Sequence, residues 1–594
     1  MSARRIELLL LLSYVRIGAV PGISEEIRLF RMLWFFPSLG LISVLCFAQS
    51  PTNGDLPSKK LDSSYSVSLT TAPAPDLLVE ASGLFRKGDF GGAIAKYKSL
   101  LQENPKSPDG WAGLIRSYLK KKDIGAAALS AEQALATCDH PRVRSARAEV
   151  LFRQGEIAEA EKEWVKIVNS GYPEARAYLG LARVRKSNAM YDGSLRMINK
   201  AHELKPSDPE ITLMWLTTLP RPQRIEQLKA VLGDQLDLDA SQRADISSYV
   251  DFLNDWSKQK DHQCRLVSNA TASEIPLIPL SNERHPINED QLFNDRRPEL
   301  RGYGLSVALN GHRNVLLLDT GASGILVGRG FAEQAGIANL VRTRIGGIGG
   351  HGWTEGSVGI ADSIKIGDME FQNCPIRVTD SYFAADGDGL IGADVFEKFL
   401  IDIDFPDEKL RLSELPKRPG EKEKQLGLTN AEGSEQANEN AAQDRYIAPE
   451  MQSFTHTFRF DRDLLVLTSI GDVPPKLFLL DTGAAKNSIS PSAAEEVTKV
   501  HRDPHITMRG IGGTVSEVYT AKQAVIRFGH LSQKNQQMIG FDTTSVSDAL
   551  GTEVSGFLGF ATLRMLDITI DYRDGLANFS YDAKKWNEIK HKYR

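Results

Sequence analysis

"LLLDTGASG", residues 316–324, ends a run of leucines with an acidic residue, Asp319. "LFLLDTGAA", residues 477–485, repeats the arrangement with Asp481, 162 positions further along the chain. A carboxylate directly after an apolar strand calls for an explanation, because a charged group loses hydration there. In both copies a threonine, a glycine and an alanine follow. The duplication indicates two related units, each of which delivers one aspartate.

The similarity continues beyond these two stretches. Each aspartate is preceded by a hairpin pattern and followed by a strand pattern. A glycine-rich turn comes next, "RIGGIGGHG" at 344–352 and "RGIGG" at 509–513. Each unit then reaches two apolar residues and a glycine, at 390–392 and 557–559. One Asp-Thr-Gly is an ordinary turn more often than a functional loop, but two copies in the same ordered context are a specific signal.

The two units resemble aspartic peptidases, specifically the small retropepsin-like type whose two lobes must pair. The resemblance implies two all-β lobes and a catalytic pair, Asp319 and Asp481. It also implies supporting residues in the active-site loops and glycine-rich flaps over the site. The implied loop residues are Thr320, Gly321, Thr482 and Gly483, and the implied flap residues are Ile345, Gly346, Gly347, Ile348, Gly349, Gly350, Ile511, Gly512 and Gly513.

The residue types suit this chemistry. Two carboxyl groups held close together share one proton, since both cannot ionise readily. One then acts as general base on a water molecule while the protonated one donates to the substrate carbonyl. This chemistry needs no metal and no cofactor, so we expect neither. In the family, the two threonines hydrogen-bond across the lobe interface.

The two units are not equal. The first glycine-rich turn has two consecutive Ile-Gly-Gly steps, whereas the second has one followed by Thr514. The second unit also carries a longer segment, residues 532–554, before its apolar-apolar-Gly stretch. The sequence therefore leaves open whether the second flap closes on substrate.

A different periodicity precedes these units. Four similar segments centre on Gly88, Lys122, Gly155 and Ala189, at intervals of 34, 33 and 34 residues. Five residues after each centre stands a small residue, where two helices would cross closely: Ala93, Ala127, Ala160 and Ser194. This pattern resembles tetratricopeptide repeats, which are stacked helix-turn-helix units with a concave surface that commonly holds a partner. A rigid spacer is the alternative interpretation.

The predicted fold class is therefore multidomain, an all-α helical repeat array followed by two all-β aspartic-peptidase lobes. The predicted segments are an export segment at 1–48, a linker at 49–75, the repeat domain at 76–258, the first lobe at 264–415, a flexible linker at 416–448 and the second lobe at 449–594.

Composition limits the partners. The 594-residue chain has a formal net charge of −5 and no long basic stripe, which argues against nucleic acid. Arginines followed by an apolar stretch up to Ala48 resemble a secretory signal, so we expect a periplasmic or extracellular protein. A membrane anchor at residues 32–48 is the alternative. Cys138, Cys264 and Cys374 show no metal or redox spacing and are interpreted as lone thiols.

Three functions stay open at this point. The first is an aspartic endopeptidase with a dyad inside one chain, whose repeats recruit a protein substrate or partner. The second is a non-catalytic peptide-binding scaffold that retains the fold. The third is a protease assembled between chains. Because we expect the repeats and the dyad on separate domains, we also expect removal of residues 76–250 to spare hydrolysis of short peptides.

Overall fold

The computed structural model describes most of the chain after the predicted export segment. The expected segments at 1–48 and 49–75 lie outside the described residues. Within the described part of the chain, no helix is long and apolar enough to cross a membrane. The described residues are 76–235, 238, 240–257, 264–281, 300–338, 340–349, 352–380, 388–419, 443–504, 506, 508–515 and 517–589.

Paired helices occupy the first part of this structure. Acidic or hydroxyl side chains begin several of them, because their oxygens accept from otherwise unpaired amides of the first turn, as Asp89 does from Gly92. We refer to these helices together as the helical array. They are α1 (Leu77–Arg86), α2 (Phe90–Glu103), α3 (Pro108–Lys120), α4 (Ile124–Thr137), α5 (Pro141–Arg153), α6 (Ile157–Asn169), α7 (Ala175–Ser187), α8 (Tyr191–Leu204), α9 (Pro209–Leu216), α10 (Arg221–Ala230) and α11 (Ala240–Ser257).

The repeat period seen in the sequence has a backbone cause. The residues at the four repeat centres all have positive φ: Gly88 at 81°, Lys122 at 62°, Gly155 at 82° and Ala189 at 56°. Each ends the turn between the two helices of one repeat. The four small residues that follow are buried at the helix crossings: Ala93, Ala127, Ala160 and Ser194. The predicted helical repeat array is confirmed.

The first helices of successive repeats share a ladder of ion pairs. Arg116 on α3 pairs with Glu149 on α5 at 2.9 Å, and Glu149 in turn meets Arg176 on α7 at 3.4 Å. Lys120 on α3 reaches Glu210 on α9 at 2.9 Å, although α5 and α7 lie between them in sequence. The first helices of the repeats therefore form a face of the array that carries several of its own ion pairs.

Strands follow, with short helices between them. The short helices are α12 (Arg329–Gln334), α13 (Pro491–Glu495), α14 (Thr544–Leu550), α15 (Phe560–Leu563) and α16 (Ala583–Ile589). The strands of the first lobe are β1 (Arg265–Leu266), β2 (Ser273–Pro276), β3 (Ile278–Ser281), β4 (Leu300–Leu309), β5 (His312–Asp319), β6 (Ile325–Gly328), β7 (Val341–Gly346), β8 (Trp353–Ile366), β9 (Met369–Thr379), β10 (Gly389–Gly392), β11 (Phe399–Asp404) and β12 (Lys409–Glu414). Those of the second lobe are β13 (Thr455–His456), β14 (Phe458–Phe460), β15 (Asp463–Ile470), β16 (Lys476–Asp481), β17 (Ser488–Ile489), β18 (Val500–Arg502), β19 (Arg509–Gly510), β20 (Gly513–Thr514), β21 (Val518–Phe528), β22 (Leu531–Phe541), β23 (Gly556–Gly559), β24 (Asp567–Asp571) and β25 (Leu576–Ser580).

Each lobe has its own sheet, and a third sheet joins the lobes. Among the described residues, the first lobe's sheet has nine strands and the second lobe's has eight. A six-stranded sheet runs β13-β25-β24-β11-β12-β2, so that β11 of the first lobe pairs antiparallel with β24 of the second. One hydrophobic core extends through both lobes and includes Leu318 and Leu480. These two β-rich lobes after the helices confirm the predicted fold class.

One sequence-based interpretation was wrong. Cys264 and Cys374 are not lone thiols but form a disulfide that closes a separation of 110 residues. It links the residue before β1 to strand β9, and β1 and β9 are antiparallel neighbours in the sheet. No spacing rule could reveal this pair, because the sheet brings together residues that are remote in sequence.

The helical array is not a separate body. Phe152 and Trp164 of the array belong to the same apolar cluster as Leu477, Leu479 and Phe557 of the second lobe. A further cluster joins α9–α11 to the first lobe through Val341 and Val358, at the base of the β7–β8 hairpin. The array and both lobes therefore share buried apolar surface, which argues against the expected independence of the repeats from the lobes.

Candidate active site

The two Asp-Thr-Gly loops occupy equivalent places in the two lobes. In the first lobe β5 pairs parallel with β10, which places Gly392 opposite Asp319. In the second, β16 pairs parallel with β23 and places Gly559 opposite Asp481. A Cβ on Gly559 would lie 2.4 Å from the carbonyl oxygen of Lys486, and one on Gly392 would lie 2.6 Å from that of Ala322. The apolar-apolar-Gly segments are therefore the strands that support the aspartates.

Thr320 and Thr482 join the two loops. The Thr320 hydroxyl donates to the Leu480 carbonyl at 2.8 Å and accepts from the Thr482 amide at 3.0 Å. The Thr482 hydroxyl makes the mirror-image bonds, to the Leu318 carbonyl at 2.9 Å and from the Thr320 amide at 3.0 Å. Both threonines are buried. Four hydrogen bonds thus fix the spacing of the two loops.

Asp319 and Asp481 face each other and hydrogen-bond through their carboxyl groups. Only 9% of Asp319 and 7% of Asp481 is exposed. The Gly321 amide donates to Asp319 Oδ1 and the Ala484 amide to Asp481 Oδ1, each at 2.8 Å. Both carboxyl groups that sequence analysis singled out therefore meet within one chain.

The environment favours a single shared proton. Burial, and next the charge of Asp319, raise the pKa of Asp481 well above its usual value of 3.8. Burial also raises the pKa of Asp319, while the Gly321 amide and the Asp481 carboxyl oppose that rise by hydrogen bonding. The two carboxyl groups therefore titrate as a pair that holds one proton between them.

Gly321 and Gly483 lie where the two loops approach each other too closely for a side chain. A Cβ on Gly483 would lie 2.3 Å from Asp319 Oδ2, and one on Gly321 would lie 2.8 Å from Asp481 Cγ. Both distances are shorter than real Cβ contacts. Each glycine therefore lets its loop approach the aspartate of the opposite loop.

The glycine-rich turns form two hairpins whose tips touch. The Gly512 amide donates to the Ile348 carbonyl at 2.9 Å. A Cβ on Gly349 would lie 2.3 Å from the Gly513 nitrogen, so this approach requires glycine. Gly350 lies outside the described residues. The two flaps are therefore closed on each other, and the second flap takes part despite its shorter sequence.

Two flap isoleucines reach the apolar wall beside Asp319. Ile345 is buried with Leu317, Leu326 and Leu390, and Ile511 of the second flap packs against the same cluster. Gly347 lies under Ile511, where a Cβ would be 2.9 Å from Ile511 Cβ. Gly346 has no heavy atom near the position of a Cβ, so it leaves open space.

A buried ion pair that the sequence did not predict lies behind the first loop. Asp394 accepts from the Gly324 amide at 2.8 Å and pairs with Arg462 of the second lobe at 2.8 Å. Asp394 is 1% exposed and Arg462 is 4% exposed. The pair has no repeated counterpart, because Ala561 stands where Asp394 would recur. Comparison of the two units therefore gave no signal for it.

Comparisons with known proteins agree with this arrangement. The aspartyl protease family matches residues 305–395 and 466–562, and a tetratricopeptide-repeat family matches residues 84–137. DNA damage-inducible protein 1 of Chaetomium globosum is 28% identical over 218 residues, which are 36% of this chain and 44% of that protein. The match thus spans less than half of the relative's length.

Solved structures also match part of the chain. A thermophilic tetratricopeptide-repeat protein of Thermus thermophilus is 16% identical, with 30% of this chain and 97% of that chain covered and a TM-score of 0.25. MamA is 17% identical, covering 30% and 95% with a TM-score of 0.18. PilF of Pseudomonas aeruginosa is 19% identical, covering 26% and 72% with a TM-score of 0.21. These scores are too low to carry an argument.

The duplicated aspartate loops and the two matched segments point to the same family. Each retropepsin-like lobe contains one segment that matches the aspartyl protease family, and the helical array before them contains a segment that matches tetratricopeptide repeats.

Proposed function

We propose that this protein is an aspartic endopeptidase whose catalytic dyad is Asp319 and Asp481 of the same chain. The observation that carries the proposal is the buried, hydrogen-bonded pair of carboxyl groups beneath two touching flaps. A scaffold that only binds peptides needs neither carboxyl group, and burying two of them costs free energy. We also propose that the array recruits a protein substrate or partner, as repeat arrays commonly do.

The geometry supports the following reaction. The ionised member of the Asp319–Asp481 pair removes a proton from a water molecule, and the water oxygen bonds to the carbonyl carbon of the peptide. The protonated member donates its proton to the carbonyl oxygen. The first carboxyl group then passes the proton it gained to the amide nitrogen, the C–N bond breaks, and a diol proton returns to the second. The leaving amine and the new carboxylic acid account for every atom of peptide and water.

The experiment is peptide cleavage by the purified protein, with a statine-type inhibitor and two variants. We expect the inhibitor to block cleavage and a chelator to leave it unchanged. Asp319→Asn and Asp481→Asn should each lower kcat by about 10²–10⁴-fold, because each removes one acid–base partner. Asp472→Asn, in an exposed turn of the second lobe, is the matched control. Peptide binding without cleavage by the unaltered protein would instead support the scaffold.

We propose an exported location, periplasmic or extracellular. The Cys264–Cys374 disulfide supports it, since structural disulfides persist mainly in oxidising compartments. The test is the mass and cell fraction of the protein made in its own host. Release of a chain that begins near residue 49 is expected. A full-length chain retained in the membrane fraction would favour the anchor at residues 32–48.

A further inference from the structure

The longer segment of the second lobe has a place in the fold but no part in the proposed reaction. Residues 532–554 contain most of β22, helix α14 and the turn before β23. The helical array contacts this segment directly. The first lobe has no helix in the described residues between β9 and β10.

The contacts come from one edge of the array, the edge formed by the turns inside the repeats. Lys122, in the turn after α3, pairs with Asp548 of α14 at 2.5 Å. Arg153, at the end of α5, meets the same carboxylate at 3.3 Å. In the next repeat, Lys186 pairs with Asp461 at 2.9 Å. The repeat period thus places successive turns along one side, where they meet the second lobe.

Hydrogen bonds to backbone carbonyl groups continue this contact toward the active site. The Thr552 hydroxyl donates to the Phe152 carbonyl at 2.7 Å, and the Glu553 amide donates to the Arg153 carbonyl at 3.0 Å. Two residues later, the Ser555 amide donates to the Leu477 carbonyl at 2.8 Å. Residues 552–555 therefore lie between the array and the start of β16.

These residues lead directly into the strand that supports Asp481. β23 begins at Gly556, and its register places Gly559 opposite Asp481. Phe557 of β23 and Leu479 of β16 also belong to the apolar cluster shared with the array. A shift of residues 552–555 would therefore shift both strands that hold the Asp481 loop.

The first lobe fixes the equivalent strand from within. Asp388, which precedes β10, accepts a hydrogen bond from the Asn314 amide group in β5. The Asp388 carbonyl accepts from Gly328 as the Ser555 carbonyl accepts from Ser490. The strand that supports Asp319 is thus held by a side chain of its own lobe, whereas the strand that supports Asp481 is held by contacts with the array.

We propose that the helical array positions Asp481. The turns along one edge of the array contact Asp548, Thr552 and Glu553 of the second lobe. These contacts fix β23 against β16 and so hold Asp481 at the distance that the dyad needs. These three are positioning residues, since none of them touches the dyad. The inference rests on the proposed function for its effect on catalysis, but not for its effect on the two strands.

The test compares Asp548→Lys with a charge exchange. Asp548→Lys places a third cation between Lys122 and Arg153, whereas Lys122→Asp with Asp548→Lys restores the original local charge. Asp472→Lys, in an exposed turn of the same lobe, is the matched control. Hydrogen exchange of residues 477–481 and 556–559 is measured together with kcat and KM on a short peptide.

We expect exchange in these two strands to rise at least roughly tenfold in Asp548→Lys, because a partly buried ion pair is replaced by repulsion. Residues 316–319 and 389–392 of the first lobe should be unaffected. We expect kcat to fall by on the order of 10–100-fold with little change in KM, as for a displaced catalytic group. The charge exchange should restore both measurements, and the control should change neither.

Unchanged exchange in residues 477–481 and 556–559 would overturn the proposal. If Asp548→Lys does not fold, Thr552→Val takes its place, because it removes only the hydrogen bond to Phe152, and unchanged exchange there overturns the proposal equally. Absence of cleavage by the unaltered protein would contradict the proposed function instead. Hydrogen exchange still decides the positioning role in that case.

Discussion

The hydroxyl groups of Thr320 and Thr482 join the two aspartate loops. Each makes two hydrogen bonds to the backbone of the opposite loop, within a region closed to water. Thr320→Val leaves the Leu480 carbonyl and the Thr482 amide unsatisfied, at about 1–3 kcal/mol for each group. We therefore expect the free energy of unfolding to fall by on the order of 2–4 kcal/mol. Urea denaturation measures it, with Thr569→Val, half-buried in the six-stranded sheet, as control.

The dyad predicts the pH dependence of the proposed reaction. The pair is active with one proton, and the pKa values of both carboxyl groups lie above 3.8, that of Asp481 well above. Activity should therefore rise with pH as the pair loses its first proton and fall when it loses the second. We expect a bell-shaped profile of kcat/KM, with both limbs above the pH at which ordinary aspartates titrate. An acid limb below about pH 3.5 would contradict the predicted environment of Asp319.

At the scale of elements, the strand pair between the lobes carries an unusual set of charges. Asp567 of β24 stands opposite Asp404 of β11 and hydrogen-bonds Asp402. Arg411 of β12 partly balances them, and Lys585 of α16 pairs with Asp404. Burial first, and then Asp402, raise the pKa of Asp567 to about 7. Three carboxyl groups thus meet in the sheet that joins the lobes.

Because Asp567 holds its proton more tightly in the folded protein than in the unfolded chain, the free energy of unfolding should fall as pH rises from about 4 to about 7. Asp567→Asn removes that dependence. At pH 8 we expect the variant to unfold with on the order of 1–2 kcal/mol more free energy than the unaltered protein, allowing for solvent screening of a half-buried group. Denaturation at pH 5 and 8 measures the difference. An equal effect at both pH values would show that Asp567 does not titrate between them.

The elements also show what the sequence could predict. The repeat centres at Gly88 and Gly155 were recognisable because the turn between two helices needs the same backbone conformation each time. The dyad was predictable because both copies of Asp-Thr-Gly stand at the same point of the same strand order. The Cys264–Cys374 disulfide and the Asp394–Arg462 pair were not, because each joins residues that only the folded chain brings together and neither is repeated.

At the scale of the whole molecule, the array should be needed for the lobes to remain folded. Removing residues 76–257 would expose the side of the second lobe that carries Leu477, Phe541 and Phe557. Burial of such side chains contributes about 1.5–3 kcal/mol each, so the isolated lobes should aggregate or unfold at lower temperature. Yield and thermal unfolding of residues 258–594 test this expectation. A soluble fragment with unchanged activity on short peptides would contradict it and would restore the picture of independent domains.

The last question at this scale is which chain supplies each aspartate. The two Asp-Thr-Gly loops, the β11–β24 pair and the core around Leu318 and Leu480 all join lobes of one chain. A linker between them raises the effective concentration of one lobe for the other to roughly millimolar, so pairing within the chain should exceed pairing between molecules. Asp319→Asn and Asp481→Asn should then each show the loss of about 10²–10⁴-fold in kcat given above, and mixing the two variants should restore little activity. Rate should also rise linearly with enzyme concentration. Substantial activity in the mixture, or an upward curve, would indicate lobes exchanged between chains, because only such an exchange could reunite an intact Asp319 with an intact Asp481.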